Sequence, residues 1–162
     1  MKKALLLLLL FPVFANAQYN DGMMLWKEYD CYHHIMKLIT ANSGKVSDSC
    51  EPIFNSPSKD IYIVNRDYLQ RIPDTMNGYT IHRINSEGDL KAIGKELKKK
   101  NAPLLFFGMY TYYLESFYFW VFPAKIKGKK IVYDSKVYKF HYYFHQENSK
   151  FEHTRNECSD WE

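Results

Sequence analysis

The chain has 162 residues, 17% of them aromatic and 25% charged, a balance that excludes an intrinsically disordered protein, whose mark is low hydrophobicity. Its formal charge is +4, and without Lys2 and Lys3 it is +2, because 20 basic residues then face 18 acidic ones. So small a surplus does not carry nucleic-acid binding, and no nucleic-acid partner is expected.

The amino end carries three features in series: Lys2 and Lys3, an apolar run from Ala4 to Phe14, and the small residues Ala15-Asn16-Ala17. This is the pattern of a cleavable secretory signal peptide, residues 1–17, with the working protein starting at Gln18. The run falls short of the roughly 20 apolar residues that span a bilayer, and Phe11-Pro12 interrupts it. Cleavage is therefore expected, with no stable membrane insertion afterwards. No lipid anchor is expected either, since Gln18 rather than a cysteine follows the site. The expected location is outside the cytosol by a Sec-type route: periplasmic in a Gram-negative host, otherwise secreted. Residues 18–162 have the length of a single domain with its own core.

Helical period governs the first segment of that domain. From about Met23 to Ala41, Met24, Leu25, Cys31, Tyr32, Ile35, Met36, Leu38 and Ile39 recur on one broad face, with Lys27, Asp30, His33, His34 and Lys37 opposite. Asn20 and Asp21 suit the entry to this helix and Asn42-Ser43-Gly44 its exit. Glu28 breaks the pattern by projecting from the apolar face, where an ionised carboxylate is costly unless it is paired or faces a pocket.

Residues 42–60, with Gly44, Pro52 and Pro57 among serines and asparagines, read as an irregular connection. Asp60–Val64 reads as a strand, Tyr68–Ile72 as a helical turn, and Tyr79–Ile84 as a strand behind the turn signal Asn77-Gly78. Ser86 and Asp89 open a second helix that buries Leu90, Ile93 and Leu97 and stops at Asn101 and Pro103. Leu104–Tyr112, Phe117–Ile126, Ile131–His145 and Lys150–Thr154 then read as strands, with Lys127-Gly128 as a hairpin turn. Strands joined by such short turns must be antiparallel. The expected class is α+β, with the N-terminal helix and the second helix packed on one face of a curved antiparallel sheet. This order of elements is similar to the cystatin-like and NTF2-like roll folds, in which an amino-terminal helix lies across a bent antiparallel sheet. The likeness is one of layout by analogy; no motif carries it and it transfers no residue roles.

Cys31, Cys50 and Cys158 enter an oxidising compartment, so one disulfide and one remaining cysteine are expected. A chain that leaves the first helix near Ala41 and turns at Gly44 can fold back beside it, which favours Cys31–Cys50 and leaves Cys158 over. The sequence contains no P-loop, no dinucleotide-binding glycine motif, no nucleophile elbow and no H-E-x-x-H, and no cofactor is expected. His141 and His145 on one strand face stand about 13 Å apart at roughly 3.3 Å per residue, too far to share a zinc ion. His33 and His34 diverge on a helix, so no metal site is expected. Cys31 and His34 have the i, i+3 spacing of a thiol and its base, but this cysteine borders the apolar face and has a disulfide partner at hand.

Tyr118, Trp120 and Phe122 alternate onto one face of a strand whose other face carries Phe117, Phe119 and Val121. One of these faces is core; the other, wherever no helix covers it, offers tyrosine and tryptophan as a recognition surface. Two functions follow. The first is a non-catalytic exported binding protein, of the inhibitor or immunity type, that engages a protein or cell-envelope component through Tyr118, Trp120 and Phe122. The second is a small extracytoplasmic hydrolase with a pocket around Glu28. The first is preferred over an enzyme because no catalytic constellation can be assembled from the sequence.

Overall fold

The computed structural model describes residues 30–64, 69, 72–84, 87–113, 115–128 and 130–160. Residues 30–41 are helical (α1). The strands are β1 (Asp60–Val64), β2 (Thr75–Met76), β3 (Tyr79–Ile84), β4 (Leu104–Tyr113), β5 (Ser116–Lys127), β6 (Lys130–Tyr133), β7 (Lys136–His145) and β8 (Lys150–Asp160). The second helix, α2 (Glu87–Lys100), joins β3 to β4. All eight strands form one sheet in the order β2-β3-β1-β4-β5-β7-β8, with β6 beside the far end of β5. The class is α+β.

Two departures from the sequence reading have clear physical causes. The sheet is mixed, because β1 pairs in parallel with both β3 and β4. A parallel return needs a crossover, and the chain has two: the segment holding Leu69 and Ile72 between β1 and β3, and α2 between β3 and β4. Among the described residues, antiparallel pairing, the kind that short turns set, joins β2 to β3 and the strands from β4 onward.

The second departure concerns the helices, which cover opposite faces of the sheet rather than one. Cys31, Tyr32, Ile35, Met36 and Ile39 of α1 meet Ile61 and Ile63, whereas Ile93 and Leu97 of α2 meet Tyr62 and Val64. Successive strand residues point to opposite faces, so β1 is buried on both sides by two separate cores. The larger core continues across Leu105, Phe107, Phe117, Phe119, Val121, Tyr138, Phe140 and Tyr142. This arrangement differs from the bent antiparallel roll with one covering helix that the cystatin-like and NTF2-like analogy describes.

Turn chemistry fixes the ends of these elements. Asn77 and Gly78 both have positive φ, 50° and 78°, as a two-residue hairpin loop of matching twist requires. Asn77 Nδ2 also donates to Thr40 Oγ1 at 2.9 Å, which ties this hairpin to the end of α1. At the exit of α1, Gly44 sits at φ 91° and donates to the Ile39 carbonyl at 2.8 Å. A Cβ placed there would lie 2.6 Å from the Phe54 carbonyl oxygen. Asp134 and Ser135 split the long segment Ile131–His145 into β6 and β7, with Asp134 N–H donating to the Pro123 carbonyl at 2.7 Å.

The disulfide joins Cys50 to Cys158, not to Cys31. After Gly44 the chain does not return along the helix but runs over the β7–β8 end of the sheet. Asn156 Nδ2 donates to the Val46 carbonyl at 2.8 Å, Lys136 pairs with Glu51 at 2.7 Å, and the Tyr138 hydroxyl donates to the Pro52 carbonyl at 3.3 Å. Cys50 therefore arrives at β8, while Cys31 is buried in the α1 core and takes no part in the bridge. Sequence spacing favoured the nearer cysteine; the bridge closes a separation of 108 residues instead.

Two outcomes follow. Cys50→Ser and Cys158→Ser should each lower unfolding free energy by about 2–5 kcal/mol, and the unreduced, denatured protein should show a single reactive thiol. Gly44→Ala should cost about 1–3 kcal/mol through forbidden φ and backbone collision, read as a lower urea midpoint at unchanged slope.

Candidate functional site

β5 lies between β4 on one side and β6 and β7 on the other, so its side chains see neighbours along its whole length. Phe117, Phe119 and Val121 point into the α1 core and are fully buried. Tyr118, Trp120 and Phe122 point to the other face, where Tyr118 and Trp120 are half-buried and Phe122 is buried. Register adds two rings the sequence reading had not singled out. Phe106 stands opposite Phe122 across the β4–β5 ladder, with centroids 6.0 Å apart. Tyr133 stands opposite Ala124 across the β5–β6 ladder and lies 4.8 Å from Phe106 and 6.1 Å from Phe122. Trp120 is 5.9 Å from Phe122, completing a row of aromatic rings in tilted and edge contact.

Among the described residues, the α2 cluster contains Tyr62, Ile84, Leu97, Leu104 and Ala124, with Ile126 and Ile131 against it, and the ring row adjoins it where Tyr133 stands opposite Ala124. Tyr133 is 47% exposed. Charged groups border the rings: Lys139, opposite Trp120, and Arg155 each lie 3.8 Å from Glu157. His141, edge-on to Tyr118 at 4.2 Å, reaches Glu157 at 3.1 Å. Burial keeps this imidazole below its usual pKa even though the Glu157 carboxylate pulls the other way.

The α1 face carries a cleft of about 560 Å³ between the start of α1 and strands β7 and β8, lined by His34, Tyr142, Phe151 and His153 with Asp30 and Lys150. His34 Nδ1 is 2.7 Å from the Tyr142 hydroxyl, and the His34 and His153 rings lie 5.3 Å apart. Burial first, then repulsion from His153, Lys37 and His33, holds the His34 imidazole below its ordinary value. Burial pushes the Tyr142 phenol well above its own, so it stays protonated. Cys31 and His34 thus share a cleft, as their spacing on a helix permits, though Cys31 itself is buried.

A third cluster fastens α2 to the parallel strands. Asp60 Oδ1 accepts from His82 Nε2 at 2.6 Å and from Lys100 Nζ at 3.1 Å, and Lys100 also pairs with Glu96 at 2.9 Å. His82 stacks on Tyr62 at 4.5 Å. Burial, then the nearby Glu96 carboxylate, pushes the Tyr62 phenol up to about 12. The hydrogen bond from His82, then that from Lys100, holds Asp60 below the usual carboxylate range.

Glu28 lies outside the described residues. His145 pairs with Glu152 at 2.7 Å and His141 faces Glu157, so these two histidines have separate partners. Among the described residues no group of three or more His, Cys, Asp or Glu side chains is arranged to hold a metal ion. No family model, curated protein or solved structure matches the chain.

The Asp60 cluster gives a pH test. Because the folded-state pKa of Asp60 is depressed, its contribution to stability is complete above the unfolded value near about 4 and is lost as pH falls through the folded value. Asp60→Asn should therefore destabilise at neutral pH in urea unfolding, with the gap to wild type closing in acid; a gap independent of pH would contradict the assignment.

Proposed function

We propose that the protein works outside the cytosol as a non-catalytic binding protein, of the inhibitor or immunity type, whose ring row of Phe106, Tyr118, Trp120, Phe122 and Tyr133 docks on a protein partner. The observation that carries this reading is the row of rings in mutual contact that ends at Tyr133, 47% exposed, with Tyr118 and Trp120 half-buried. Aromatic side chains at the centre of a patch dominate binding energy when a partner desolvates them, and the surrounding charges set orientation. Lys139, Arg155 and Glu157 provide that rim with both signs, which suits a protein surface better than a polyanion.

Export is supported by the Cys50–Cys158 disulfide, a bond that persists in oxidising compartments, and by the charged, apolar and small-residue series at the amino end. Among the described residues no helix is long and apolar enough to cross a membrane.

The test is co-purification of the tagged protein from its native envelope, identification of the bound protein by mass spectrometry, and titration of that partner against variants. Tyr133→Ala, at an exposed ring, should weaken binding by about tenfold or more, the effect of losing a central aromatic anchor, while leaving the thermal melt unchanged. Lys98→Ala, at the exposed end of α2, should bind as wild type does. Equal affinity for wild type and Tyr133→Ala would overturn the reading.

A further inference from the structure

The cleft on the α1 face is independent of the aromatic row on the other face, and its chemistry is specific enough to name a ligand class. Its volume of about 560 Å³ falls within the range of small-molecule sites. Its walls are rings: Tyr142 and Phe151 lie 6.4 Å apart, Tyr142 and His153 5.2 Å, and His34 and Tyr142 5.9 Å, all tilted or edge-on to one another.

Hydrogen bonding settles which nitrogens of the imidazoles remain available. Asn156 Nδ2 donates to the Val46 carbonyl at 2.8 Å, so the other end of that amide, Oδ1, is the atom facing His153 Nε2 at 2.6 Å. An amide oxygen only accepts; His153 Nε2 must therefore carry the hydrogen, and in the neutral ring Nδ1 is left as a bare acceptor. His34 is anchored in the same manner through Nδ1, by the Tyr142 hydroxyl at 2.7 Å. Neither His34 Nε2 nor His153 Nδ1 has a hydrogen-bond partner among the described residues, and neither is among the buried polar atoms that lack one. Each ring is thus fixed by one nitrogen and presents the other. Asp30 and Lys150, of opposite sign, both line the cleft, so its formal charges favour neither an anion nor a cation.

We propose that this cleft binds a small, uncharged aromatic molecule bearing a hydroxyl group, a phenol, with its ring against Phe151 and Tyr142 and its hydroxyl donating to the open nitrogen of His153. An apolar ring of that size gains from burial among the aromatic walls, and the hydroxyl gains an acceptor that is already oriented and needs no reorganisation. A purely apolar ring would leave the imidazole nitrogen unpaired once water is displaced, which sets the preference for a donor.

The test is long-range ¹H–¹⁵N NMR of the histidine rings at neutral pH, titrated with p-cresol and, separately, with toluene. Expected are the Nε2–H form for His153 before any ligand is added and saturable movement of the His153 Nδ1 resonance with p-cresol. The exposed His33 ring should stay unmoved, and toluene should bind at least about tenfold more weakly, the worth of one hydrogen bond. His153→Phe, which keeps a ring and removes the acceptor, should abolish the preference for p-cresol over toluene. An Nδ1–H form for His153, no movement with millimolar p-cresol, or equal binding of p-cresol and toluene to wild type would each overturn the proposal, and none needs the variant to fold.

Discussion

The alternation of side chains along β1, with buried apolar residues at both parities, requires the sheet to be covered on both faces at that strand. Ile61 and Ile63 on one side of β1, and Tyr62 on the other, are all buried, and no single helix can shelter both sets. α1 takes one face and α2 the other, and the crossover from β3 through α2 to β4 delivers that second helix where β1 needs it. The parallel pairing of β1 with β3 and β4 is the topological consequence.

Among the described residues α2 packs against β3 and meets β5 near Ala124 and Ile126, where Gly94 lies against the Ile126 side chain. The α1 core continues unbroken from Ile61 to Tyr142, whereas the opposite core ends near Ala124 and Ile126. Phe106, Trp120, Phe122 and Tyr133 lie in ring contact with one another beyond that point. Such a row costs solvation free energy when half-open, and a folded protein retains it most readily where a partner recovers that cost on binding. The far end of the sheet is fastened by other means: the connection after Gly44 lies along β8 and is closed covalently at Cys50–Cys158.

Much of this was legible in the sequence, and the misses share a cause. Asp60–Val64, Tyr79–Ile84 and the helix ending before Asn101 are visible because each has a period and a stop signal within a dozen residues. Strand direction between β1 and its neighbours was not, because the links there are long and hairpin chemistry is silent about them. The disulfide is hidden for the same reason: proximity in sequence points to Cys31, while the path of residues 45–52 over β7 and β8 is set by contacts with Tyr138, Lys136 and Asn156. The aromatic row was half visible. Alternation puts Tyr118, Trp120 and Phe122 together, but Phe106 joins them through the β4–β5 register and Tyr133 through the β5–β6 register, and of these only the second has a turn signal, at Gly128. The Asp60–His82–Lys100 cluster and the His34–Tyr142–His153 cleft draw on elements distant in sequence and left no local trace.

The unequal cover of the two faces is the claim on which the rest stands, and hydroxyl-radical footprinting of the folded protein measures it residue by residue. The account predicts rapid oxidation of Tyr133, intermediate rates for Trp120 and Tyr118, and strong protection of Phe119, Phe140 and Tyr32 beneath α1. Protection of Tyr133 and Trp120 equal to that of Phe119 would contradict it, because the second face would then be as fully covered as the first.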